Sequence, residues 1–242
     1  MAKLANVGSR VYIDQYALSG FLNSLDMSVT QETPVVSTLS DSGPRRLVGN
    51  YDHSHSHSGF FDGDTLSFDS WIHALVENNS DHYLLELFGA NAEGNIAYES
   101  VVALEGKPLS GAIAGAVLLN QAYQGRNAMS RGRVIRNGTI SANGNGTGQN
   151  IGASSATQTF QVVIRVMSGT FTSFDVNVQE SQSDPGDPYA TVADLSQTGI
   201  NAAGVWRKTY VGATEAYKRV NIANWIGTDA LVLVTAGIVA GT

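Results

Sequence analysis

The run Asp52-His53-Ser54-His55-Ser56-His57-Ser58, with the turn Gly59-Phe60-Phe61-Asp62-Gly63-Asp64 behind it, decides how the chain is read. Strict alternation sets the three histidines on one face of a strand and Asp52, Ser54, Ser56 and Ser58 on the other. After the turn, Phe68, Trp71, Ile72, Leu75 and Val76 recur at the spacing of one apolar helical face, which predicts an amphipathic helix over residues 67–78. Such a helix needs a sheet to cover it. Strand patterning returns at His82-Tyr83-Leu84-Leu85-Glu86-Leu87-Phe88, breaks over residues 89–95, and resumes at Ile96-Ala97-Tyr98-Glu99-Ser100-Val101-Val102-Ala103-Leu104. Strand, helix and hairpin is the predicted order.

Composition agrees with a sheet. The 242 residues include 26 Gly and only 14% charged residues, alongside many Thr, Ser and Val, which suits β-structure with many turns. That length buries a large core, as one β domain or as two. The absence of cysteine excludes disulfides, thiolate zinc sites and a cysteine nucleophile. The first residues lack the apolar core of a signal peptide. The longest apolar runs, residues 112–119 and 230–240, are short and broken by glycine, so the expectation is a soluble protein made in a cytoplasm, without membrane insertion. The net charge of −7 is uneven: residues 1–120 hold 5 Lys/Arg against 14 Asp/Glu, and residues 121–242 hold 9 against 7. Sequence-specific nucleic-acid binding needs clustered cations and does not fit this balance.

Taken in order, Val11-Tyr12-Ile13-Asp14-Gln15-Tyr16 and residues 22–30 read as strands, the second with Asp26, Ser28 and Thr30 on its solvent face. Residues 31–50 form a long, weakly periodic loop with Pro34 and the run Gly43-Pro44-Arg45-Arg46; a loop of this length is functional or held by a partner. Residues 111–123 read as a small-residue strand. Arg126, Arg131, Arg133 and Arg136 lead into the glycine tract of residues 143–150, which predicts a boundary between an assembly domain, 1–138, and a β-sandwich domain, 139–242. In the second half, residues 160–166, 171–179, 206–211, 218–226 and 230–239 alternate as strands of an antiparallel sandwich.

No constellation carries chemistry. His53, His55 and His57 resemble metal ligands at first sight, but alternate strand positions need a further ligand from elsewhere, and a polar strand face is the expected reading. Asp62 with Asp64, and Asp184 with Asp187, sit on ordinary turns without the spaced ligands of a calcium loop. Nucleophile elbow, dinucleotide fingerprint and phosphate loop are all absent, so neither an enzyme nor a cofactor is expected. Trp71, Trp206 and Trp225 are expected in cores.

Residues 11–123 resemble the major tail proteins of siphophages, on the strength of Tyr12-Ile13-Asp14-Gln15-Tyr16-Ala17-Leu18-Ser19-Gly20-Phe21-Leu22-Asn23-Ser24, Gly43-Pro44-Arg45-Arg46 and Gly59-Phe60-Phe61-Asp62-Gly63. The second half is similar to the outer β-sandwich that many such proteins carry. The resemblance implies a mainly β fold with one flanking helix and a long arm to a neighbouring subunit. It also implies hexameric rings stacked into a tail tube in the virion, contacts with other tail proteins, and passage of DNA without specific binding. On this reading Pro44, Arg45, Arg46, His53, His55, His57, Arg131 and Arg133 are expected at subunit contacts, the arginines against the acidic half of a neighbour. The sandwich would face outward, toward host-surface glycan. The rival readings are a capsid decoration protein and a carbohydrate-binding sandwich.

Overall fold

The computed structural model describes residues 8–31, 33, 35–37, 43, 51–60, 81–106, 109–110, 118–184 and 188–240. The expected helix over 67–78 and the loop positions Pro44, Arg45 and Arg46 lie outside them. The described chain is mainly strand: β1 (Arg10–Ile13), β2 (Tyr16–Ala17), β3 (Leu22–Gln31), β4 (Tyr51–Phe60), β5 (His82–Leu87), β6 (Ile96–Gly106), β7 (Leu109–Ser110), β8 (Leu118–Gly125), β9 (Ser130–Ile140), β10 (Gly144–Asn145), β11 (Gln149–Asn150), β12 (Thr159–Ser181), β13 (Ala190–Thr191), β14 (Gln197–Ile200), β15 (Gly204–Val211) and β16 (Tyr217–Val239). The described strands form one antiparallel network whose main path runs β13-β12-β16-β9-β6-β5-β1-β2. A branch leaves β6 through β8 and β4 to β3.

The spine is the pairing of β12 with β16, in register from Phe160↔Ile238 to Ser181↔Tyr217. Residues 160–166 and 171–179, expected as separate strands, are one strand with a bend, and so are 218–226 and 230–239. Neither break is a true turn, because the pairing continues through each with a register shift. The bend is tight enough that a Cβ on Gly227 would stand 2.6 Å from the Phe171 Cα.

Burial shows what the spine does. In residues 172–180 of β12, burial alternates, with Phe174, Val176 and Val178 inside; from Phe160 to Val166 every residue is buried. The same change occurs between Val220 and Val234 on β16. A strand covered on one face alternates, and a strand covered on both reads as a continuous apolar run. Even-numbered residues Phe160, Val162, Ile164, Val232 and Val234 face a core closed by Phe174, Val176, Val220 and Ile222. Leu233 faces the other way, into a middle core with Tyr12, Leu85, Leu87, Ala97 and Val134. On the far side of β1 and β5, Val11, Ile13, Leu18, Leu84, Val102 and Tyr123 make a third core. Each fully buried aliphatic or aromatic side chain contributes about 1.5–3 kcal/mol, so the sharing of one ribbon between cores stabilises both.

One polar group sits at the junction. Arg165, fully buried, donates from both terminal nitrogens to the Glu99 carboxylate, from Nε to the Asp14 carbonyl at 2.8 Å and from Nη2 to the Tyr83 carbonyl at 3.0 Å. Thr235 Oγ1 donates to the same carboxylate.

Residues 130–140, whose arginines read only as leading into the glycine tract, form β9, a strand between β6 and β16. Arg131 and Arg133 point out while Val134 and Ile135 are buried. Position 138, where a boundary was expected, falls within this strand.

Candidate functional site: a histidine ladder and an open edge

Alternation on β4 places the histidines as read, and the fold turns that face inward: His53, His55 and His57 are 3%, 2% and 1% exposed. The interior they enter belongs to this chain's own third core. A buried imidazole costs free energy unless its nitrogens find partners, and most of these find them in a ladder, the His57 Nδ1 having none. His53 Nε2 lies 2.6 Å from the Asn127 carbonyl in the turn between β8 and β9. His53 Nδ1 lies 2.9 Å from His55 Nε2. His55 Nδ1 stands 3.1 Å from Glu86 Oε1, and His57 Nε2 donates to the same oxygen at 2.8 Å.

Two further features set the geometry. The His53 ring lies over Gly125, where any Cβ would meet it at 2.4 Å, and the His57 ring packs on the Tyr123 ring at 5.2 Å between centroids. The Tyr123 hydroxyl donates to Gln121 Oε1. Nearby, His82 Nδ1 pairs with Asp14 Oδ2 at 2.8 Å, and Asp14 Oδ1 accepts from the Tyr83 N–H. Among the described residues, no group of three or more His, Asp or Glu side chains is arranged to hold a metal ion. Sequence reasoning named the histidines but missed Glu86. It stands in an apolar run, and only its even-numbered position, shared with Leu84, assigns it to their face.

Burial lowers the His53 titration below the usual imidazole range, outweighing its bond to Asn127. Burial works to raise the Glu86 carboxyl, but the bonds and charges of His55 and His57 prevail and hold it below its ordinary value. Both shifts have the same sign for stability. Above about pH 6.5 His53 is neutral folded or unfolded; below it the unfolded chain takes up a proton that the folded chain refuses, so stability falls. The Glu86 contribution is complete above about pH 4.5 and is lost as pH falls through its lower folded value. Urea midpoints measured from neutral to acid are expected to fall in two stages, and His53→Gln is expected to flatten the first.

The other face of β4 is exposed and hydroxylic. With β3 it forms the cross-strand rows Ser24↔Ser58, Asp26↔Ser56, Ser28↔Ser54 and Thr30↔Asp52, without a cation. Ser24 and Ser58 share a hydrogen bond at 2.5 Å, and Asp52 accepts from Gln124 at 2.6 Å. Among the described residues β3 is bonded on one side only, to β4, and Val29 is 43% exposed.

Arg131 and Arg133 are exposed on β9 and line a cleft of about 370 Å³ with Ile96, Asn150, Ile151 and Gly152. Arg133 donates to the Gly94 carbonyl at 2.5 Å. The other two arginines of that group have carboxylate neighbours, Arg126 with Asp81 at 2.9 Å and Arg136 with Glu93 at 3.6 Å.

No protein-family model and no curated protein matches the chain. Among solved structures, the chain is similar to one from the virion of a native gene transfer agent particle, at 16% identity over 50% of this chain and 94% of that one, with a TM-score of 0.40. It is also similar to the SPP1 tail tube, at 11% identity over 53% of this chain and 78% of that one, TM-score 0.45. A third is the SPP1 Dit protein, a hub adsorption-apparatus protein of phages infecting Gram-positive bacteria, at 8% identity over 95% of this chain and 98% of that one, TM-score 0.37.

Proposed function

We propose that this chain is a structural, non-enzymatic subunit of a tailed-phage virion that self-assembles through sheet edges into the stacked rings of a tail tube. The observation that carries this reading is β3: ten residues long, bonded on one side among the described residues, and carrying an exposed Val29. A long open edge invites another strand, and natural monomers blunt such edges with lysine, proline or bulges. β3 has neither lysine nor proline, and its one register shift lies at the start, between Leu22 and Ser24. Pairing with a second copy closes the edge.

The remaining surfaces fit the same assembly. The serine and aspartate rows of β3 and β4 would face the bore, where carboxylates repel phosphate and short hydroxyls offer DNA nothing to grip. The Arg131 and Arg133 cleft would receive carboxylates from the acidic half of a neighbour, and Pro44, Arg45 and Arg46 would reach it from the long loop. His53, His55 and His57 would serve assembly from inside, by fixing β4 and with it β3. Six-fold rings follow from the family resemblance, as does an outward-facing second half.

Proline placed in turn at Ser28 and Val29 tests the edge, since neighbouring residues point their N–H groups to opposite sides of a strand. One variant loses a bond to β4 and is expected to lose stability. The other loses only an outward donor and is expected to stay folded while rings vanish from negative-stain images. Wild-type protein that stays monomeric by light scattering, with no rings at any concentration reached, overturns the reading.

A further inference from the structure

With Glu86 ionised, the contacts along the histidine ladder favour one distribution of protons. At one end the Asn127 carbonyl can only accept, so the His53 Nε2 at 2.6 Å must carry a hydrogen. At the other end an ionised Glu86 can only accept, so a hydrogen on the His55 Nδ1, 3.1 Å from its Oε1, makes that contact attractive and a bare nitrogen makes it repulsive. Between the rings, His53 Nδ1 and His55 Nε2 at 2.9 Å share exactly one hydrogen. Three protons therefore occupy two rings that hold two when neutral. His57 does not alter the count, because its Nε2–H satisfies its own contact with Glu86.

We propose that His55 is a buried imidazolium, donating from Nε2 to a neutral His53 and from Nδ1 to the Glu86 carboxylate, and that this one proton latches β4 to β5 and to the β8–β9 turn. Its removal would leave lone pair facing lone pair at one of three contacts. The His55–Glu86 contact is off the ideal hydrogen-bond direction, which a charge pair tolerates and a neutral pair does not. Burial keeps His53 neutral, and the two histidines keep Glu86 ionised, as this distribution requires.

The surroundings supply no other cation at this position. His55 lines a cleft of about 380 Å³ with Asp26 of β3, Glu105 of β6 and Tyr123 of β8, and no lysine or arginine lines it. Asp52 acts on His53 from β4 itself. Asp14 lies close enough to act on Tyr123, and His82 of β5 is satisfied by Asp14. With carboxylates on three of these elements, the ladder holds the charge that balances Glu86.

Nitrogen-15 spectra of histidine-labelled protein at about pH 7, in solution or in the assembled solid, read the proton on each ring nitrogen directly. The expected result is an imidazole protonated on both nitrogens whose signal is lost in His55→Gln and kept in His82→Asn, with His53 and His57 protonated on Nε2 alone. In Glu86→Gln the His55 signal is expected to become that of a singly protonated ring. If that variant does not fold, the wild-type spectra decide alone. A singly protonated His55 beside a protonated Glu86, or a doubly protonated His53, overturns the proposal. Neither result bears on whether the chain forms rings.

Discussion

Arg165→Met is expected to lower the stability of the folded chain by about 3–5 kcal/mol, the cost of leaving one half of a buried ion pair without the other. Glu99 is 4% exposed, so its carboxylate would keep Thr235 as a donor and lose both guanidinium nitrogens. The Asp14 carbonyl would lose its guanidinium donor as well, while the Tyr83 carbonyl would keep the Asp14 N–H. The discriminating measurement is the double variant Arg165→Met with Glu99→Leu. If the penalty comes from an uncompensated charge, removing Glu99 restores most of it, since apolar replacement of a whole buried pair is often neutral. Urea unfolding of the two variants checks this, and a loss below about 1 kcal/mol in the single variant would mean that water reaches Glu99.

Phe160→Ala is expected to cost about 3–5 kcal/mol, the range for removing a buried aromatic ring. Phe160 is fully buried in the core between the two halves of the spine. Its ring also lies 4.9 Å below the Lys218 ammonium. Burial lowers the Lys218 titration, partly offset by Glu180 at 3.2 Å, so the ring is one of few groups that solvate that charge. Phe160→Leu keeps most of the volume and is expected to lose less than half as much. Thermal unfolding of the pair separates cavity from cation: a leucine variant as damaged as alanine would place the larger share in the ring's face.

The sequence makes the period-two elements legible. β3, β4, β5 and β6 fall where alternation places them, and the histidine face of β4 was identifiable before anything was known of its neighbours. What alternation does not carry is which face turns inward. The serines opposite the histidines are as polar as the histidines themselves, and only Glu86, on a strand 29 residues away, decides it. β9 was not legible for a related reason: Arg131, Arg133 and Arg136 obscure Val134 and Ile135, and the strand gains its identity from pairing with β16, about a hundred residues on. In β12 and β16 the alternation breaks around Gly169 and Gly227, so each strand reads as two; these glycines allow close passage of two backbones. Glu99 and Arg165 gave no local sign of their pairing, since contacts this far apart in sequence leave no periodicity behind.

The middle core has a consequence for synthesis. Tyr12, Leu85, Leu87 and Ala97 wait for Leu233, and Glu99 waits for both Arg165 and Thr235. A nascent chain therefore carries its early strands for most of translation with one side uncovered, and cannot settle them until β16 has cleared the ribosome. If β3 is the surface by which copies meet, the anchoring of the strands behind it is deferred to that moment. Half-made chains would then be poor recruits to a growing polymer, a form of quality control written into strand order.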